Sequence, residues 1–292
     1  MQLPGVLALM ARIAHLSDLH FGAHDEELVA AVEQSLNRLR PDLVVISGDF
    51  TQRARTDQFK AACRFLERLK AAGHEVLGIP GNHDIPLYDV LRRFLSPLTR
   101  YRRFIDETLC PFHELPGIAV LGINTARSLT FKDGRINQEQ MAFIRESFGR
   151  TRADTARILV THHPLFALPV GDGPALGEAV GRHKLALDAI ADSGVDLLLA
   201  GHLHRASAHH ARDLVHEAGT ALVIQAGTAT STRLREEEQS FNQLEIGPGE
   251  ASVTVHAWNG IAFAPRDAER FVREGEHWRT DSGERLPEAT DA

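Results

Sequence analysis

Short unbroken apolar runs alternate along most of the chain with longer stretches whose apolar residues recur every three or four positions. The runs predict strands at Ile13–Ser17, Leu43–Ser47, Val76–Ile79, Ile118–Ile123, Ile158–Thr161, Leu197–Ala200 and Ala221–Gln225. The intervening stretches predict helices. Glu26–Leu39 carries Leu28, Val29, Val32, Leu36 and Leu39 at helical spacing, and Asp57–Ala72 carries Phe59, Phe65, Leu66 and Leu69. Further helices are expected at Gln138–Phe148 and Lys184–Asp192. Strands that are apolar on both faces are buried on both faces, so the alternation predicts an α/β fold with largely parallel strands at its start.

The pattern changes near the end. Phe241–Ile246 and Ala251–Trp258 alternate polar and apolar residues around Gly247, Pro248 and Gly249, which predicts an antiparallel hairpin. Past Pro265 the chain is charged and poor in aliphatics. That composition predicts a surface helix followed by a disordered tail over residues 265–292. At the other end, residues 1–11 read as an extension or an upstream start, with Met10 as an alternative initiator. The mildly apolar start has no basic flank, so it does not read as a signal peptide. One large domain over residues 12–264 lies between them.

Composition adds exclusions. The 292 residues are 43% hydrophobic and 24% charged, as in an ordinary globular protein. No apolar run approaches the ~20 residues of a membrane span. The net charge of −7, without a long basic run, argues against a nucleic-acid partner. The densest basic stretch is Arg92, Arg93, Arg100, Arg102 and Arg103, either a solvated helix face or a patch that attracts an anion. Two cysteines, Cys63 and Cys110, form no disulfide framework and fit a reducing cytoplasm.

Histidine is the anomaly, with 16 in the chain. Many of them stand at predicted strand ends, in five short segments. Asp18 and His20 follow the first strand, and Asp49 follows the second in Gly48-Asp49. Asn82, His83 and Asp84 follow the third. His162 and His163 precede Pro164, and His202 and His204 form Gly201-His202-Leu203-His204. Ligands of open α/β sheets sit at the carboxyl ends of strands, so the five segments can converge. Imidazole with carboxylate suits manganese, iron, zinc or cobalt. Residues two apart in extended chain point the same way, so each Asp-X-His or His-X-His pair can reach one centre. The set holds no cysteine, unlike a closed structural zinc site. Taken singly, each segment is an ordinary turn or surface pair; five in order are not.

That order of motifs resembles the calcineurin-like metallophosphoesterase superfamily over roughly residues 12–258. Within it the chain looks like bacterial class III cyclic nucleotide phosphodiesterases and glycerophosphodiesterases. The resemblance implies two mixed β-sheets packed as a sandwich flanked by helices, and a centre of two metal ions. Asp18, His20 and His204 would hold the first ion, Asn82, His162 and His202 the second, and Asp49 would bridge them. His83 would face the substrate, oriented by Asp84, and Asn82 and His202 would also border it. His162 is preferred over His163 because the family's ligand stands two residues before the proline. The implied activity is hydrolysis of small phosphodiesters, 3′,5′-cyclic nucleotides foremost, by a metal-bridging hydroxide. Glycerophosphodiesters and lipid-linked or nucleotide-sugar diphosphates are alternatives, with a nuclease or a non-catalytic scaffold behind them. A homodimer is compatible with all of these readings.

Around the site several residues keep two readings. Thr51 and Arg53 either support the site or belong to a loop leading into a helix. Gly171–Gly181 is a substrate rim or a connecting loop. Asn124 and Thr125 end a strand and could line the pocket. His15 reads as a packed histidine, and His209 and His210 as surface residues.

Overall fold

A computed structural model of the chain describes residues 10–128, 134–165, 168–170, 173–176, 189–202, 215–218, 221–232 and 238–283. Parallel strands β1 (Ala11–Leu16), β2 (Leu43–Ile46) and β3 (Val76–Gly78) are linked by helices α1 (Glu26–Leu39) and α2 (Thr56–Ala71). A single 3₁₀ turn, Asn82–Asp84, leads to the short helices α3 (Val90–Leu95) and α4 (Thr99–Phe104). Next come β4 (Phe112–Leu115), β5 (Ile118–Ile123), α5 (Gln138–Gly149) and β6 (Ala156–Thr161). The ribbon β7 (Leu168–Val170) and β8 (Gly173–Leu176) precedes β9 (Leu197–Ala200), β10 (Val215–Ala218) and β11 (Ala221–Gln225). The chain closes on β12 (Ser240–Gly247), β13 (Glu250–Trp258), β14 (Phe263–Glu274) and β15 (His277–Thr280).

These strands form two mixed sheets. One is ordered β15-β14-β13-β12-β1-β2-β3 and the other β10-β11-β9-β6-β5-β4. Strand periodicity sorts the side chains into layers. Ile13, Leu43, Val45 and Leu77 meet Ile118, Ile158, Val160, Leu197, Leu199 and Leu222 between the sheets. The alternate residues Leu16, Val44 and Ile46 pack on α1 and α2 through Leu28, Val32, Phe59 and Phe65. On the outer face of the second sheet, Leu121, Leu159, Leu198 and Val223 pack on α5 through Met141, Ile144 and Phe148. The architecture is therefore a two-sheet sandwich flanked by helices.

Local chemistry fixes the helix ends. The Asp25 carboxylate accepts from the Glu27 amide at 2.8 Å, which caps α1, and Glu26 and Glu27 lie in its positive first turn. For α5, Asn137 accepts from the Gln140 amide, and Gln140 accepts in return from the Asn137 amide. Of the expected helix Lys184–Asp192, residues 189–193 are helical and the remainder lies outside the described residues.

The C-terminal expectation is corrected. Residues beyond Pro265 do not form a surface helix; they continue β14 and add β15, so the first sheet gains two strands. The final residues, 284–292, lie outside the described residues. Pairing shifts between Val255 and His256, a bulge that changes which face of β14 is buried. Phe263 packs on the helical side, whereas Phe271 packs between the sheets with Trp278.

Candidate active site

The carboxyl ends of β1, β2 and β3 meet those of β6 and β9 at one edge of the sandwich. Leaving the strands, the chain turns sharply, and the turning residues are the polar ones. Asp18 (φ 54°), His20 (φ 47°), Asp49 (φ 53°) and His202 (φ 74°) all adopt the left-handed conformation. Side chains with a Cβ disfavour it by about 1–2 kcal/mol each, and such strain gathers at functional sites. Backbone bonds hold it in place: Asp18 N–H donates to Gly48 O (3.1 Å) and His20 N–H to Asp49 O (2.9 Å).

Asp49 lies at the middle of the cluster, fully buried. Its Oδ1 accepts from the His83 amide at 2.8 Å. Its Oδ2 lies 3.4 Å from His162 Nε2 and 3.9 Å from His20 Nε2, without a hydrogen-bond donor among the described residues. Asp18 Oδ1 lies 3.5 Å from His20 Nε2, and Asp18 Oδ2 accepts from the His202 amide at 3.1 Å. The second sheet contributes His162. Its Nδ1 donates to the Ser47 carbonyl at 2.7 Å, which leaves Nε2 facing Asn82 Oδ1 (3.1 Å) and His202 Nδ1 (3.3 Å). One ligand atom each from Asp18, Asp49 and His162 lies within 4.8 Å of the others, as it does for His162, His163 and His202.

The electrostatics are those of a cation site. Burial alone would lower the His162 imidazolium, but Asp49 beside it outweighs burial and holds it at about 9. Burial would likewise raise Asp49, yet the facing imidazoles hold it well below the usual carboxylate range. A buried carboxylate oxygen without a donor, beside His162 Nε2, whose ring is fixed through Nδ1 on a carbonyl, fits a divalent metal.

Of the expected site residues, Asp18, His20, Asp49, Asn82, His83, His162 and His202 are brought together. His204 lies outside the described residues, as do His209, His210 and most of Gly171–Gly181. Within that last stretch, residues 173–176 form β8.

The role expected of Asp84 is corrected. It does not orient the His83 ring, whose Nδ1 donates instead to the Gln52 carbonyl at 2.8 Å. The Asp84 carboxylate accepts from the amides of Phe50, Thr51 and Gly81 and from the Thr51 hydroxyl, at 2.9–3.2 Å. It thereby pins the β2 exit loop to the turn that carries Asn82 and His83. Despite four donors it is raised to about 6, first by burial and then by the charge of Asp49. Thr51 belongs to this support. Gln52 was not anticipated; only the fold reveals it, because a backbone carbonyl leaves no trace in side-chain pattern. His15 is a packed residue, bonded through Nε2 to Ser47 Oγ at 2.9 Å. Thr125 Oγ1 bonds His163 Nδ1 at 2.8 Å, and the His163 ring packs 4.6 Å from that of His202.

Comparison with known proteins agrees with this geometry. A probable cyclic nucleotide phosphodiesterase of a Synechococcus species is 25% identical over 216 residues, covering 68% of this chain and 75% of the relative. The glycerophosphodiester phosphodiesterase GpdQ of Enterobacter lignolyticus is 37% identical over 83 residues, 25% of this chain and 29% of its own length. Among solved structures, a purple acid phosphatase from yellow lupin (Lupinus luteus) shares the fold with a TM-score of 0.66 at 13% identity. That match covers 92% of this chain, which spans only 55% of the plant protein. The calcineurin-like phosphoesterase pattern itself matches residues 11–206, so the chain belongs to that family and is a metal-dependent phosphoester hydrolase.

Proposed function

We propose that the chain is a phosphodiesterase with two metal ions, acting on small phosphodiesters, with 3′,5′-cyclic nucleotides the favoured substrates. The observation that carries this reading is the gathering of Asp18, His20, Asn82, His162 and His202 around the buried Asp49 carboxylate, with His20 and His162 facing it directly. In the proposal Asp18 and His20, with His204, would hold one ion, Asn82, His162 and His202 would hold the other, and Asp49 would serve both. Manganese, iron, zinc and cobalt all suit this mixed oxygen and nitrogen set. Such ions, when bound, supply positive charge to phosphoryl oxygens and acidify bound water.

The protein's own part is positioning and proton transfer. The Gln52 carbonyl fixes the His83 ring and leaves Nε2 for the substrate. Through Nε2, His83 would donate to a non-bridging oxygen or to the departing alkoxide. The His20 ring meets it edge-on at 4.9 Å and limits its rotation. Asp84 and Thr51 keep the loops bearing Asp49 and His83 in register.

The deciding experiment strips the protein of metal and reloads it with manganese. Hydrolysis is then followed on a generic diester, a monoester and 3′,5′-cyclic AMP, with Asp49→Ala as control. Metal-dependent and Asp49-dependent cleavage of the diester and of cyclic AMP supports the proposal. Cleavage of the diester alone discards the cyclic nucleotide. It moves the reading to glycerophosphodiesters, which the similarity to GpdQ favours as second choice. The acid role of His83 has its own test: His83→Ala should slow alkyl esters more than nitrophenyl esters, and equal losses would discard it.

A further inference from the structure

Helix α3 is inside out. Its one buried side chain is Arg93, whose guanidinium donates to the carbonyls of Ser128 (2.7 Å) and Pro86 (3.1 Å). Its apolar residues face water instead: Val90 is 62% exposed, Leu91 72%, Phe94 54% and Leu95 74%. Leu87 and Tyr88, just before the helix, are exposed as well. Thus six of the ten exposed large hydrophobic side chains among the described residues fall within nine consecutive positions. Scattered exposed apolar residues need no explanation, but a contiguous group does.

Arginines border the patch: Arg92 lies on α3 itself, and Arg53 sits against Tyr88. Asp89 pairs with Arg92 at 3.3 Å, Arg100 donates to the Ala54 carbonyl, and Arg102 and Arg103 on α4 are exposed. The patch also adjoins the active site. The Arg53 guanidinium lies 5.8 Å over the Tyr88 ring, and the neighbouring residue, Gln52, holds His83.

We infer that the surface formed by Leu87, Tyr88, Val90, Leu91, Phe94 and Leu95, with Arg53 and Arg92 beside it, docks the protein on an anionic phospholipid bilayer. Apolar side chains fit the acyl boundary, tyrosine fits the headgroup level, and guanidinium groups pair with lipid phosphates. A second copy of the chain is a poorer occupant. A two-fold contact sets the same patch against itself, and this one would oppose its own arginines. Docking so would present the Gln52–His83 rim to the membrane surface.

The test uses the full-length chain and sedimentation with vesicles, which needs no catalysis. Vesicles of phosphatidylcholine with about one third phosphatidylglycerol should carry the protein down, more weakly as salt rises, and pure phosphatidylcholine should not. Leu91→Glu with Phe94→Glu should weaken the binding roughly tenfold or more, with an unchanged circular dichroism spectrum and unchanged hydrolysis of a soluble diester. Arg53→Gln with Arg92→Gln should reduce it on anionic vesicles. Absence of sedimentation, or binding indifferent to Leu91→Glu with Phe94→Glu, overturns the inference. So does a dimer in analytical ultracentrifugation that those two substitutions dissolve, since the patch would then belong to a second copy.

Discussion

One sheet joins two halves built on opposite plans. In the parallel half, β1 to β3, each strand ends at a left-handed or glycine-led turn that delivers Asp18, His20, Asp49 or Asn82 to the cleft. In the antiparallel half, β12 to β15, strands return through tight turns, and their residues go into ladders and core. The two halves touch along β1 and β12, where His15 pairs with Asn242. Parallel connections cross over a sheet face, so their strand ends are free to carry chemistry; hairpin ends are consumed by the turn. One half should therefore lose activity when altered, and the other stability.

The largest effect expected is that of Asp49→Ala, a loss of at least about 10³-fold in turnover with the fold retained. Hydrolysis rates, metal content and circular dichroism together would check it. Trp278→Ala should do the reverse. It empties a buried position between the sheets and should cost about 3–5 kcal/mol in denaturant unfolding, without changing turnover by the folded fraction. That substitution also tests whether the chain beyond Pro265 is structural.

A pair of glycines sharpens the contrast. Gly48 has φ +106°, and an added Cβ would lie 2.5 Å from His162 Nδ1. Gly48→Ala should weaken metal binding about 10- to 100-fold, read by titration with a metal indicator. Gly249 has φ +73° in the β12–β13 turn, and the nearest atom to its added Cβ is 3.9 Å away. Gly249→Ala should cost about 1 kcal/mol of stability and leave metal affinity alone.

The last contrast concerns pH. Burial, then Arg38, lowers His256 to about 4, and its ring stacks on Phe241 with centroids 5.0 Å apart. The unfolded chain takes up a proton below pH 6.5 that the folded chain refuses. Stability therefore falls as pH drops from 6.5 to about 4, by about 2 kcal/mol or less. Thermal unfolding across that range should be flatter for His256→Gln; an identical slope would discount the role of His256.

The same division explains what the sequence disclosed. Strands such as Leu43–Ile46 and Ile118–Ile123 are buried on both faces and stand out as apolar runs. Polar residues at strand ends keep their spacing whatever the loops beyond do, so the gathering of Asp18, His20, Asp49, Asn82, His162 and His202 was legible. β14 was not, because its bulge reverses the alternation between Phe263 and Phe271, and Pro265, Asp267 and Glu269 occupy the positions between. Helix α3 escaped for a related reason, since its apolar residues face outward and its arginine inward. The partner of His83 is a main-chain carbonyl, which no side-chain pattern encodes.

The bond from His162 Nδ1 to the Ser47 carbonyl joins the end of one sheet to the end of the other. Across that joint sit the proposed ligand atoms, so the sandwich serves as a calliper whose jaws are the two sheets. Sliding the sheets by an ångström would change the spacing of His162 and His202 against Asp18 and Asp49 by a similar amount. Core packing between the sheets therefore sets the gauge of the proposed metal site. Substitutions at buried positions such as Val160 or Leu199 become tuning screws for metal preference, in addition to their part in stability.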